Sequence, residues 1–131
     1  MGFLLFDLDE AGEIRQWNTL ALNFWHWRTI LAAVRRLDVI PAERLDGLEE
    51  SWLDGRLTQA EARAVAAALR ERLIPTLEPG ERLLLDGNRT TEPDDGVIHV
   101  GEETDRNYST NRAVLEQFAA FCESCNGFLL G

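Results

Sequence analysis

The sequence predicts an α+β domain that is mainly helical, with three principal helices and a small N-terminal β-hairpin or sheet. Apolar residues recur at helical spacing in three separate segments, and an N-terminal stretch around the turn DEAGE is typical of two paired strands. The length of 131 residues suits one domain whose core can form without disulfides. We therefore expect residues 1–131 to form a single globular domain.

The N-terminal segment GFLLFDLDEAGEIRQW predicts two strands that flank the turn. Its start lacks positive charge and becomes acidic at Asp7, which is not typical of a secretory signal peptide. Apolar runs in the chain are shorter than the roughly 18 residues that a membrane span requires. We therefore expect a cytoplasmic protein without a membrane partner.

The stretch NFWHWR (residues 23–28) is expected to open the first helix, which runs from Phe24 to about Leu37. Asn23 can accept hydrogen bonds from the free amides of the first turn and is the predicted N-cap. Arg28 is placed to reach a carboxylate. The predicted buried face consists of Trp27, Ile30, Leu31, Val34 and Leu37.

The second helix begins with a capping box, in which Thr58 caps the helix and Glu61 reaches back to it. The alanine-rich sequence that follows favours a helix as far as Pro75, where the missing N–H would end it. Its predicted buried stripe consists of Ala62, Val65, Ala66, Leu69 and Leu73.

The third helix is predicted from about Asn111 to Cys125, with Thr110 or Asn111 as its cap and a left-handed stop at the dipeptide NG. Its apolar face consists of Val114, Leu115, Phe118, Phe121 and Cys122. The final FLL is expected to form a short buried tail or an edge strand. Between helices, PAERLDGLEESWLDGR predicts one short helical turn, and ERLLLDGN and GVIHV are strand candidates in an irregular stretch from Glu78 to Ser109.

The formal net charge of −10, with a pI of about 4.6, disfavours nucleic acid and anionic lipid as partners and is compatible with a basic protein. The block EPDDGVIHVGEETD (residues 92–105) contains six carboxylates and no arginine. It is a candidate docking surface for a basic partner, and a solvated loop is the alternative. Its candidate partner-binding residues are Asp94, Asp95, Glu102, Glu103 and Asp105.

Trp25, His26 and Trp52 lie outside the predicted apolar stripes and are the other candidate partner-binding residues. Exposed tryptophans are enriched in interface hot spots. The same residues could line a cleft for a small ligand or an enzyme substrate. The alternative is that Trp25 covers the N-terminal strands and Trp52 covers the core.

Cys122 and Cys125 form a C-x-x-C pair that, with His26 and His99, is a weak candidate set for a tetrahedral zinc site. A redox function is disfavoured because the pair lies at a helix C-terminus, where the dipole raises the thiol pKa. Two reduced thiols in a reducing compartment are the simpler interpretation. The sequence contains no P-loop, dinucleotide or G-x-S-x-G motif, so we assign no catalytic residue and no cofactor.

Three segments together, LNFWHWRTILAAV, LTQAEARAVAAALRERL and LEQFAAFCESCNGFLL, resemble a family of small uncharacterised bacterial proteins. That family shares an N-x-x-W-R-x-L-L helix, a capped alanine-rich helix and a terminal F-x-x-F-C segment ending in GGF. The chain departs from the pattern with Cys125-Asn126-Gly127 in place of the glycine pair. The resemblance implies no catalytic residues, since none are assigned in the family.

We therefore expect an acidic cytoplasmic protein-interaction module rather than an enzyme, of which an immunity-type inhibitor of a basic bacterial toxin or effector is one form. Size, acidity and helix layout are similar to those of immunity proteins, by analogy only. The alternatives are a small ligand-binding domain or enzyme with a cleft near Trp25, His26 and Trp52, and a zinc-stabilised structural domain. Oligomeric state does not follow from the sequence.

Overall fold

The computed structural model describes residues 2–49, 55–93, 98 and 100–131 and has the expected α+β architecture. Its α-helices in the described residues are α1 (Phe24–Leu37), α2 (Ala42–Asp46), α3 (Gln59–Ala68) and α4 (Arg112–Ser124). The strands are β1 (Gly2–Leu8), β2 (Ile14–Asn23), β3 (Arg56–Thr58), β4 (Arg82–Leu84), β5 (Arg89–Thr90), β6 (Ser109–Asn111) and β7 (Gly127–Leu130). Within the described part, no helix is long and apolar enough to cross a bilayer.

The larger sheet is antiparallel, with four strands in the order β2-β1-β7-β3. The predicted N-terminal hairpin is confirmed, since β1 pairs with β2 along most of its length. The expectation for the final FLL was wrong, because β7 lies inside the sheet between β1 and β3 rather than at its edge or as a tail. The chain that enters α3 supplies β3, and this strand covers the edge that β7 would otherwise expose.

Gly127 is required where β7 begins. Its φ is +95°, and a Cβ atom there would lie 2.6 Å from the carbonyl oxygen of Leu57 on β3. The helix before it ends on Cys125, which is extended, so the left-handed residue starts the strand rather than capping the helix. The dipeptide Asn126-Gly127 therefore marks a close approach of two strands.

A bulge in the hairpin turns polar side chains inward. The register of β1 and β2 shifts between Phe6 and Asp7. Asp7 is only 1% exposed, and its carboxylate accepts hydrogen bonds from the Asn18 amide and from the backbone N–H of Asn126, both at 2.8 Å. A buried carboxylate needs such donors. It ties the hairpin to the corner between α4 and β7.

The predicted first helix is confirmed at both ends and on its buried face. Asn23 caps α1, with its side chain accepting from the backbone N–H of His26 at 2.8 Å. The five predicted face residues are all buried. Trp27 is fully buried, and its Nε1–H donates to the carbonyl oxygen of Leu48 at 2.7 Å. The helix ends at Asp38, which is left-handed, three residues before Pro41.

The second helix has the predicted capping box but a different end. Glu61 N–H donates to Thr58 Oγ1 at 3.1 Å, and Thr58 N–H donates to Glu61 Oε1 at 3.0 Å. The α-helix ends at Ala68, not at Pro75, and continues as a π-helical turn (Leu69–Leu73) and a 3₁₀ turn (Ile74–Thr76). Pro75 lacks an N–H and its ring would clash with the carbonyl four residues earlier in an α-helix, so the chain leaves α geometry before the proline.

The stretch expected to be irregular contains a second sheet, with strand order β5-β4-β6. The strand candidate in ERLLLDGN is confirmed as β4. The candidate GVIHV is not supported where it is described, because Ile98 and Val100 lie outside any strand and are 72% and 79% exposed. Strand β6 leads directly into α4, whose cap is Asn111 rather than Thr110.

Arginines connect the ends of these elements. All thirteen basic residues of the sequence are arginine. Among the described residues, seven of them donate to main-chain carbonyl oxygens of distant segments: Arg36 to Leu85, Arg44 to Arg56, Arg63 to Cys122, Arg72 to Leu37, Arg82 to Glu92, Arg89 to Thr76 and Arg112 to Leu77. The planar guanidinium has several donors, so one group can satisfy a carbonyl and a carboxylate together. Arg44 does so, because it also pairs with both oxygens of Glu61.

Gly127→Ala should destabilise the protein by at least about 2 kcal/mol more than Gly12→Ala, because the new methyl group would overlap β3. Both glycines have positive φ, but a Cβ atom at Gly12 would meet nothing within 4 Å. The control therefore carries only the backbone strain, on the order of 1 kcal/mol. Urea unfolding of the two variants measures the difference, and equal losses would contradict the close approach of β7 to β3.

The pairing of Glu61 predicts a pH dependence of stability. The hydrogen bonds from Arg44 lower the pKa of Glu61 from 4.5 to about 2, with a further contribution from Thr58. A depressed carboxyl pKa stabilises the fold above pH 4.5, and this contribution is lost as the pH falls from 4.5 to about 2. Glu61→Gln keeps an oxygen for the capping box but removes the charge, and should cost about 1 kcal/mol at pH 7, since water screens the pair.

Urea unfolding of wild type and Glu61→Gln between pH 7 and pH 2 tests this dependence. The difference in unfolding free energy between wild type and Glu61→Gln should shrink as the pH falls from 4.5 to about 2. Glu71→Gln is the matched control, because Glu71 is exposed on the π-helical turn that follows the same helix. A difference for Glu61→Gln that stays constant with pH would refute the assignment of the pairing.

Candidate functional site

Three aromatic rings form a surface cluster where α1 begins. Phe24 and Trp25 open the helix, and Tyr108 lies between the 3₁₀ helix Gly101–Asn107 and β6. Ring centroids are 5.3 Å apart for Phe24 and Trp25, 5.6 Å for Phe24 and Tyr108, and 5.2 Å for Trp25 and Tyr108. All three side chains are partly exposed. We call these three residues the aromatic surface cluster.

The aromatic surface cluster is anchored to the hydrophobic core. Phe24 stacks on Phe3 of β1 with ring centroids 5.9 Å apart, and the ring centroids of Phe3 and Trp27 are 6.5 Å apart. Trp27 in turn meets Phe118 of α4 edge to face at 5.8 Å. Rings in continuous contact with a packed core have few alternative rotamers, so the cluster is held in position before any partner binds.

Polar contacts fix the two segments that carry the cluster. Nδ1 of His26 lies 3.0 Å from Oγ1 of Thr110, which joins α1 to β6 beside Tyr108. Thr29 donates its hydroxyl to the carbonyl oxygen of Trp25 at 3.1 Å. The N-cap at Asn23 sets where α1 begins and therefore which residues of its first turn lie beside β6.

Acidic and apolar residues precede Tyr108 in the chain. The 3₁₀ helix Gly101–Asn107 ends immediately before Tyr108, and Glu102 within it is exposed. Ile98 and Val100, just upstream, are the most exposed large apolar residues of the described chain. Single exposed apolar side chains are also common on surfaces that bind nothing, so these two do not by themselves mark an interface.

The structure brings together part of the predicted partner-binding set. Trp25 contacts Tyr108 and His26 contacts Thr110, and both of these residues follow the acidic block in the chain. Glu102 is a member of that block. Trp25 contacts Tyr108, and the alternative that it also covers the N-terminal strands stays a prediction. Trp52, Asp94, Asp95 and His99 lie outside the described residues, as do the side chains of Glu103 and Asp105.

Phe24 and Tyr108 were not predicted from the sequence as candidate binding residues. Tyr108 is the single tyrosine of the chain and lies three residues after the acidic block, which is the signal that could have identified it. Arg28 was expected to reach a carboxylate, and its contact with an aromatic ring was not predicted. Its guanidinium carbon lies 5.0 Å above the ring centroid of Phe24. The positive charge thus faces an aromatic ring, in a cation–π contact.

Cys122 and Cys125 are free and fully buried. Burial raises the pKa of the Cys122 thiol well above its ordinary value and also raises the pKa of Cys125. The described residues contain no group of three or more His, Cys, Asp or Glu side chains that could hold a metal ion, so His26 does not join the two cysteines as a ligand. A zinc site that includes His99 stays a prediction.

A shallow cleft of about 280 Å³ lies between the hairpin turn and the start of α3. Leu8 and Leu57 supply its apolar part, and Arg44, Arg56 and Asn126 are among its polar residues. Its polar groups are largely committed to the fold, since Arg44 pairs with Glu61 and the Asp9 carboxylate accepts from the backbone of its own turn. Trp25 and His26 do not line it.

No protein-family model matches the chain, and neither a curated protein nor a solved structure is significantly similar to it. The family resemblance of the three helices therefore stays a prediction. The same holds for a ligand-binding or catalytic cleft near Trp25, His26 and Trp52.

The buried thiols should react slowly in the folded protein. At pH 8 we expect alkylation of Cys122 and Cys125 by iodoacetamide to be at least about a hundredfold slower than in urea, since both thiols are protonated and inaccessible. Mass spectrometry of timed samples measures the rate. Rapid modification without denaturant would contradict the burial of the pair.

Proposed function

We propose that this protein is an acidic protein-interaction module that binds a basic partner protein through the aromatic surface cluster and the adjoining acidic segment. The observation that carries the proposal is the contact of Trp25 with Tyr108, at 5.2 Å between ring centroids. It joins the start of α1 to a residue that lies three positions after a block with six carboxylates, with Arg106 between the block and Tyr108. Tryptophan and tyrosine are enriched in interface hot spots, and complementary charge around them raises the rate of association.

The use of arginine inside the fold supports a basic partner. Seven arginines of the described chain bind main-chain carbonyls, and Arg35 pairs with Asp46 and Glu49 at 2.7 Å. These positive charges stay near their internal acceptors. The carboxylates of residues 92–105 have no arginine within their own segment. A negative field there would steer a basic protein toward the cluster.

An immunity-type inhibitor is the specific form of this function that we favour. A toxin or effector that acts on an anionic substrate needs a basic surface around its active site. An acidic protein with a rigid aromatic anchor can cover such a surface and exclude the substrate. Association would be fast and salt-dependent because of charge, whereas the aromatic contacts would slow dissociation.

A pull-down from lysate of the native host tests the interaction. We expect a basic protein to be retained at low salt and released as ionic strength rises, because exposed charges are screened over about 10 Å at 0.1 M salt. The triple variant Glu102→Gln, Glu103→Gln, Asp105→Asn should retain less of it. A gene for a basic toxin next to the gene for this chain would support the inhibitor form.

The matched control neutralises Glu43, Glu71 and Glu78, which are exposed elsewhere on the described surface. Both triple variants remove three negative charges, so any difference between them reports on location rather than on net charge. Equal capture by the two variants would reject the acidic segment as the binding surface. Recovery of no protein partner at low salt would reject the proposed function.

A further inference from the structure

We propose that the partner inserts an arginine side chain against the partly exposed rings of Trp25 and Tyr108. This inference rests on the proposed function and specifies the chemical group that the aromatic surface cluster recognises. The occupant is a guanidinium group of a basic protein.

The rings of Trp25 and Tyr108 meet edge to face. Trp25 and Tyr108 are inclined at 62° with centroids 5.2 Å apart, so one ring edge meets the face of the other. Both side chains are partly exposed. The three rings of the cluster lie in contact, at 5.2–5.6 Å between centroids, and therefore do not enclose a closed cage of the type that surrounds a methylated ammonium group.

The chain itself shows that the cluster accepts a guanidinium. Arg28 lies over the ring of Phe24, with its central carbon 5.0 Å from the ring centroid. Phe24 thus carries a planar cation next to Trp25 and Tyr108, and tryptophan and tyrosine are at least as good cation–π acceptors as phenylalanine. The residue that presents this cation is Arg28 of α1, whereas the arginine of the proposal is supplied by the partner.

Charge and hydration favour arginine over lysine at this place. The guanidinium plane can stack on a ring while its edge donates hydrogen bonds, and it is more weakly hydrated than an ammonium group. The 3₁₀ helix Gly101–Asn107, which ends just before Tyr108, contains the exposed Glu102, and a carboxylate is a strong acceptor for such bonds. A lysine would gain the same attraction from the charge but less from the rings.

Short peptides of Arg, Gly and Ser, compared with the same peptides carrying Lys, test the inference. Isothermal titration at low salt should show the arginine peptide binding roughly two- to fivefold more tightly than the lysine peptide. Aromatic-detected NMR should show the ring resonances of Trp25 and Tyr108 shifting with the arginine peptide. Equal affinities, or shifts confined to other residues, would overturn the assignment.

Variants separate stacking from charge. Trp25→Leu and Tyr108→Leu should each abolish the preference for arginine, whereas Tyr108→Phe keeps the ring and should retain it. The triple charge variant should weaken both peptides equally and leave the preference intact. If a leucine variant proves unfolded by circular dichroism, the NMR shifts and Tyr108→Phe still test the inference, and loss of preference in Tyr108→Phe would overturn it.

The outcomes also separate this inference from the proposed function. A native partner that is captured by wild type and by Trp25→Leu to the same extent would leave an interaction module in place but refute arginine recognition by the cluster. Failure to capture any partner, together with an arginine preference that depends on Trp25, would support the cluster as a guanidinium site and reject the proposed function.

Discussion

The burial of Trp27 is the constraint on which the arrangement of the elements depends. Its indole ring contacts Phe3 of β1 and Phe118 of α4, while its N–H donates to Leu48 in the segment after α2. An indole donor in an apolar core costs free energy unless it finds an acceptor, so that segment has to pass beside the ring. One side chain thus determines how the larger sheet, α4 and the connection after α2 are placed around α1.

The same aromatic contacts connect the core with the surface. From Trp27 the contacts continue through Phe3 and Phe24 to Trp25 and Tyr108, so the rings that are available to a partner are extensions of the packed interior. A partner would therefore meet groups whose ordering entropy was lost during folding rather than at binding.

Arginine satisfies main-chain acceptors in this acidic chain. Guanidinium groups such as those of Arg72 and Arg112 satisfy carbonyls at element ends, where secondary structure leaves acceptors free. Lysine has the charge but not the planar set of donors, which gives the absence of lysine a structural meaning beyond composition. These guanidinium groups therefore serve the fold, since they lie beside its main-chain acceptors.

The interactions that the sequence predicted correctly act over a few residues. The caps at Asn23 and Thr58, the apolar faces of α1 and α4 and the hairpin turn depend on neighbours within one or two turns of chain, so local pattern suffices. The interior position of β7, the second sheet and the meeting of Trp25 with Tyr108 join residues far apart in sequence. Such pairings depend on which surfaces the packed core brings together, and no local periodicity encodes that choice.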